Sequence, residues 1–198
     1  MRINLITVLY FKISSFKKND IDSDVKIIQI THENAPFLNT FVKNFQTMTF
    51  TSLKPQIEHI ISSTEKTVDV RLKNICELLE AEIPYYNWVG FYFKNGDKNE
   101  LKLGPYVGEP TDHIIIPFGK GICGQVAVSN KNFVVPDVSA QDNYIACSMT
   151  VKAEIVIPIF VNNENIGQID IDSNTIDPFS EADERFLEFV CKKVATIL

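Results

Sequence analysis

The sequence predicts an α+β fold: a central antiparallel sheet of five to six strands, with helices from the two ends of the chain packed together on one face. Three observations predict it. Apolar residues recur at helical spacing from Ile57 to Leu79, and again at Phe186, Leu187, Val190, Cys191 and Val194 near the C-terminus. Between these stretches the period is two. The resulting order, helix, strands, loop, strands, helix, places the helices at the ends of the chain and the strands in its middle.

At 198 residues the chain suffices for one ordinary domain with a modest extension. A composition of 45% hydrophobic and 22% charged residues is that of a folded globular protein. The net charge of −6 argues against a general nucleic-acid binder. Residues 1–47 contribute +2, which leaves −8 for the rest, so the acidity belongs to the main domain. The run Ile3–Phe11 is too short to span a bilayer and lacks a small-x-small cleavage site, so no membrane span and no export are expected.

Residues 1–47 hold two β-prone runs, Ile3–Phe11 and Val25–Ile30, and no cluster of site-like residues. They read as an N-terminal extension, and Met48, just ahead of an expected helix start, reads as an alternative biological start. Ser52 suits an N-cap, with Pro55 in the first turn. Ile57, Ile60 and Ile61, then Val68, Leu72, Ile75, Cys76 and Leu79, describe two consecutive helices or one bent at Ser62–Thr64. From Tyr86 a strand places Trp88, Gly90 and Tyr92 on one face and Val89, Phe91 and Phe93 on the other. Asn95-Gly96 turns it back through Glu100–Leu103. A loop, Gly104–Asp112, leads to a short strand at Ile114–Ile116. The Gly119-Lys120-Gly121 break opens a helix over Ile122–Ser129, and another short strand follows at Phe133–Val135. Asp137–Val151 has no clear period, and loops of that length are often functional. A hairpin comes next, Glu154–Phe160 and Ile166–Asp172, and a capping box of Ser180 and Asp183 starts the last helix.

Four residue groups have chemical potential. Cys123 lies at a predicted helix N-terminus, where unpaired N–H groups, the helix dipole and nearby Lys120 favour negative charge on sulfur; packing under a turn is the plainer use of a small residue there. Cys147 sits in the long loop, where packing does not demand a cysteine. Asp170 and Asp172 share a strand face, and Glu154 in the partner strand can join them. Like charges so placed need a cation or a shared proton, unless they line a solvated face. Three acids in one concavity suit an ammonium group, or a protonated acid beside a polar oxygen; no histidine lies near to favour a metal. Trp88 and Tyr92 form either an aromatic wall or ordinary core. Cys76 and Cys191 fall on apolar helix positions and read as inert thiols. The cysteine spacing fits neither a zinc finger nor a disulfide scaffold, and suits a reducing, cytoplasmic setting.

NWVGFYF (Asn87–Phe93), LGPYVG (Leu103–Gly108), PFGKGICG (Pro117–Gly124), IACS (Ile145–Ser148), EIVIPI and GQIDIDS, taken in order, resemble the free methionine-(R)-sulfoxide reductases, enzymes with the GAF fold. The resemblance covers roughly residues 48–198 and implies reduction of free methionine (R)-sulfoxide without a bound cofactor. It implies Cys147 as nucleophile and Cys123 as a second exchanging thiol. It further implies that Glu154, Asp170 and Asp172 hold and polarise the substrate, with Trp88 and Tyr92 around its methyl-sulfur end. A sulfenic acid on Cys147 would pass to a disulfide, recycled by a thioredoxin-like protein, and a homodimer is the usual assembly of related GAF domains. His113 stands ten residues before Cys123, where the family commonly has a resolving cysteine.

A competing reading is a non-catalytic GAF module for a small ligand such as a cyclic nucleotide. Asn130-Lys131-x-Phe133 with Asp137 echoes that signature, although Val138 stands where a glutamate is expected. A partner-binding protein using the N-terminal β-prone arm is a third.

Overall fold

A computed structural model describes residues 35–140 and 150–198, with side chains from Thr49 onward. Thr47–Leu198 forms one compact unit. The two β-prone runs and the arm proposed for partner binding lie outside the described residues. So does Cys147.

Helix α1 spans Ala35–Ser62 and α2 spans Val68–Glu82. Two helices are therefore present, but the first does not start at Ser52. The Ser52 hydroxyl donates to the Thr49 carbonyl at 2.8 Å, bonding back within the helix instead of capping it. Pro55 lies inside α1, where it deletes one ladder bond. Thr67 caps α2 by accepting from the Val70 amide.

The strands are β1 (Trp88–Lys94), β2 (Glu100–Val107), β3 (Ile115–Pro117), β4 (Phe133–Val135), β5 (Ala153–Val161) and β6 (Glu164–Ser173). They form one six-stranded sheet in the order β3-β2-β1-β6-β5-β4, and every neighbouring pair is antiparallel. Gly96, at φ +58°, makes the β1–β2 turn. The expected loop from Gly104 is a correction: Gly104–Val107 continues β2 alongside β1. The register slips between Gly90 and Tyr92, and that bulge lets Pro105, which has no N–H to give, stay in the strand.

Helix α3 (Gly121–Ser129) covers one face of the sheet, while α4 (Glu181–Val194) joins α1 and α2 on the other. The helical stripes are buried within the single chain. Leu53 and Ile57 of α1 and Leu187 and Val190 of α4 share a core with Val89, Phe91, Ile155, Ile157, Ile169 and Ile171. Phe50 stacks on Phe186 with ring centres 4.6 Å apart. The capping box at Ser180 is complete, and its Asp183 also accepts from the buried Tyr86 hydroxyl. Among the described residues, no helix is long and apolar enough to cross a membrane.

The sheet is thus buried on both faces. Along β6, Ile169 and Ile171 enter the helix-packed core, and Gln168, Asp170 and Asp172 point to the opposite face, beneath α3.

Candidate active site

The site is built by strand register. Glu154 pairs with Asp172 and Val156 with Asp170 across β5 and β6. On the other flank of β6, Trp88 pairs with Asp172 and Gly90 with Asp170. Directly opposed residues share a face, so three acids and the Trp88–Gly90–Tyr92 row converge on one patch. The acids are deeply enclosed: Glu154 is 3% exposed, and Asp170 and Asp172 1% each.

Cys123 reaches this patch from above. Gly119 and Gly121 have φ of +79° and +60°, a left-handed conformation that turns the chain sharply from β3 into α3. A side chain at Gly124 is barred, because its Cβ would lie 2.5 Å from the Pro117 carbonyl oxygen. This tight entry seats Cys123, 4% exposed, in the first turn of α3. Its thiol donates to Asp170 Oδ2 at 3.2 Å. The expected push toward thiolate by the helix end and Lys120 is therefore incomplete as an account. Lys120 is exposed, and the sulfur donates to a buried carboxyl oxygen.

The acids hold protons to unusually high pH. Burial pushes Asp170 from 3.8 up to about 7, tempered by the hydrogen bond from Cys123. Burial also raises Glu154 well above the carboxylate range, with the charges of Asp170 and Asp172 adding to it. Asp172 is raised by burial and then by Asp170. Asp170 Oδ1 and Asp172 Oδ1 are buried without a hydrogen-bond partner, and no basic side chain among the described residues pairs with the three acids. Near neutral pH the cluster thus offers carboxylic acid donors beside unsatisfied acceptors.

An aromatic wall closes one side. The Trp88 ring lies 6.2 Å from Tyr92 and 5.3 Å from Tyr106, stacked with both. Its Nε1 donates to the Glu109 carbonyl at 3.1 Å, and the Tyr92 hydroxyl donates to the His113 carbonyl at 3.0 Å. The indole can lie flat over β1 only because position 90 is glycine: a Cβ there would stand 2.2 Å from Trp88 Cη2. Tyr106 escaped sequence reasoning because Gly104 and Pro105 made its surroundings look like a loop, although it sits opposite Gly90 in the sheet.

Two clefts reach the acids. One is lined by His113, Lys120, Cys123, Glu154 and Asp170. The other is lined by Asn87, Trp88, Glu109, Val151 and Asp172. The structure therefore brings together Cys123, Glu154, Asp170, Asp172, Trp88 and Tyr92. Cys76 and Cys191 lie apart in the helix-packed core, where burial pushes both thiols up. Asn130, from the nucleotide-binding echo, serves as the left-handed C-cap of α3 at φ 57°, and Asn132 donates to Glu184 and Glu188.

The GAF domain family model matches residues 63–198. A free methionine-R-sulfoxide reductase of Saccharomyces cerevisiae is 34% identical over 150 residues, covering 70% of this chain and 83% of that protein. The chain belongs to the free methionine-(R)-sulfoxide reductase family of GAF domains. Solved structures agree. The Neisseria meningitidis free methionine-R-sulfoxide reductase in complex with its substrate is 33% identical with a TM-score of 0.70, covering 75% of this chain and 87% of that one. The Staphylococcus aureus fRMsr in complex with substrate is 38% identical with a TM-score of 0.68, covering 75% and 95%. This relatedness supports a redox-catalytic role for this GAF domain.

Proposed function

We propose that this GAF domain reduces free methionine (R)-sulfoxide to methionine. The observation that carries the reading is the enclosed trio of proton-holding carboxyls under an aromatic wall, with a thiol 3.2 Å from one of them. A sulfoxide needs a proton delivered to its oxygen as sulfur is attacked, and a free amino acid brings an ammonium group that an acidic floor can hold. Family membership with enzymes of that name supports the same substrate.

In this mechanism the Cys147 thiolate attacks the sulfoxide sulfur while Glu154 protonates the oxygen. The oxygen passes to Cys147 as a sulfenic acid, and methionine leaves with its sulfur reduced by two electrons. Asp170 and Asp172 hold the amino acid, and Trp88 and Tyr92 pack against its methyl-sulfur end. The Cys123 thiol then condenses with the sulfenic acid, releasing water and forming a disulfide. A thioredoxin-like dithiol reopens it and leaves oxidised. Cys123 is assigned this step because His113 occupies the position of the family's other thiol and Cys123 lines the same cleft.

The test is incubation with the separate R and S forms of free methionine sulfoxide and dithiothreitol, with released methionine assayed. Turnover of the R form alone is expected. No methionine from either form, or equal turnover of both, refutes the assignment.

A further inference from the structure

We propose that Cys123, Glu154 and Asp170 form a binding site for a borderline-soft divalent cation of the Zn2+ class. One atom from each, the Cys123 sulfur and a carboxylate oxygen from each acid, lie within 4.8 Å of one another. The Cys123–Asp170 edge is already 3.2 Å. Zinc bonds of about 2.3 Å to sulfur and about 2.0–2.2 Å to oxygen set tetrahedral ligand edges near 3.5 Å. A contraction of about 1 Å, within reach of side-chain rotation about χ angles, brings the three donors into a coordination shell. A second, independent observation points the same way. Asp170 Oδ1 is buried without a hydrogen-bond partner, in a side chain 1% exposed, so this carboxylate has acceptor capacity that the protein does not use.

The donor set also selects the ion. One thiolate with two carboxylates favours Zn2+, Co2+ or Cd2+ over Mg2+ and Ca2+, which take oxygen ligands alone. Among the described residues, three protein ligands leave a fourth position for water or a ligand, and the cleft that they line is a route by which an ion would enter. A bound dication offsets the mutual repulsion of the acids, which no basic side chain among the described residues does. Binding itself is independent of the reductase reading. Its consequence, a reversible block of Cys123 and Glu154 by the ion, does rest on it.

The experiment uses the full chain, reduced with a phosphine because dithiothreitol would itself chelate zinc, and contains no substrate. Co2+ titration should saturate at one equivalent with a near-ultraviolet thiolate-to-cobalt charge-transfer band, and Zn2+ should abolish the band while excess Mg2+ leaves it intact. Cys123→Ser should lose the band and weaken Zn2+ binding by about 100-fold or more. Asp170→Asn and Glu154→Gln, which preserve shape, should each weaken it too, and circular dichroism checks that every variant is folded. No band in the wild-type protein, a band that survives Cys123→Ser, or Zn2+ affinity unchanged in both carboxylate variants overturns the proposal.

Discussion

Replacing Asp170 with asparagine should stabilise the protein relative to wild type as pH rises. In the folded chain the Asp170 carboxyl holds its proton up to about 7, against 3.8 for an ordinary aspartate. Between those values the folded state binds a proton that the unfolded state has released, so wild-type stability declines as pH climbs, and the loss is complete above about 7. A difference of about three units at 1.36 kcal/mol each puts the ceiling at about 4 kcal/mol, a large share of the roughly 5–15 kcal/mol that holds a domain folded. Asparagine keeps the shape, and its carbonyl oxygen still accepts the Cys123 thiol, but it does not titrate. Urea unfolding followed by the single tryptophan, Trp88, with EDTA present, should therefore show the variant gaining on wild type between about pH 4 and pH 8. Glu154 and Asp172 are raised in part by the charge of Asp170, so its removal eases both and adds to the variant's gain in the same direction. A gap that stays constant across this range, or that closes as pH rises, would refute the claim that an enclosed charge burdens the fold.

Cys147→Ser should abolish methionine sulfoxide reduction, while Cys123→Ser should slow thioredoxin-linked turnover and spare a single turnover, read by quenched-flow methionine release. Glu154→Gln removes the proposed proton donor without changing shape and should lower kcat by about 10²–10⁴-fold with less effect on KM. Gly90→Ala forces a methyl into the Trp88 ring, which should cost about 1–3 kcal/mol in chemical denaturation and raise KM by displacing the aromatic wall. Ser180→Ala removes the α4 cap and should cost about 1 kcal/mol without altering KM.

The parts of the molecule legible in the sequence are those where a local pattern had one physical solution. The β5–β6 hairpin is written in its alternation, Asn95-Gly96 specifies a turn, and Ser180 with Asp183 specifies a helix start. Two features were not legible. Ser52 looks like a cap, yet a serine hydroxyl can also bond back to a carbonyl three residues earlier, and only the preceding helical residues decide between the two. Gly104-Pro105 looks like a loop because proline forfeits a ladder bond. The bulge at Gly104-Pro105, where these two residues face the single Phe91 of β1, makes that loss tolerable and is a property of the β1–β2 pairing, not of either strand alone. At the site, the shared face of Asp170 and Asp172 follows from spacing. Glu154 joins them through register.

That both faces of the sheet are buried decides how the alternation along β6 is to be understood. On a half-exposed strand, Gln168, Asp170 and Asp172 would be the solvated side and Ile169 and Ile171 the core side, and nothing more would follow. Here α3 covers the polar side, leaving Gln168 fully buried with neither amide atom partnered and each aspartate with an unsatisfied oxygen. Apolar residues at these positions would satisfy the same packing without the desolvation cost. The protein tolerates a face that opposes its own stability, and the two clefts that open onto that face give a ligand access to the groups that bear the cost. A cationic ligand, whether an ammonium group or a metal ion, should therefore raise the unfolding midpoint more where Asp170 is ionised, above about pH 7, than near pH 5.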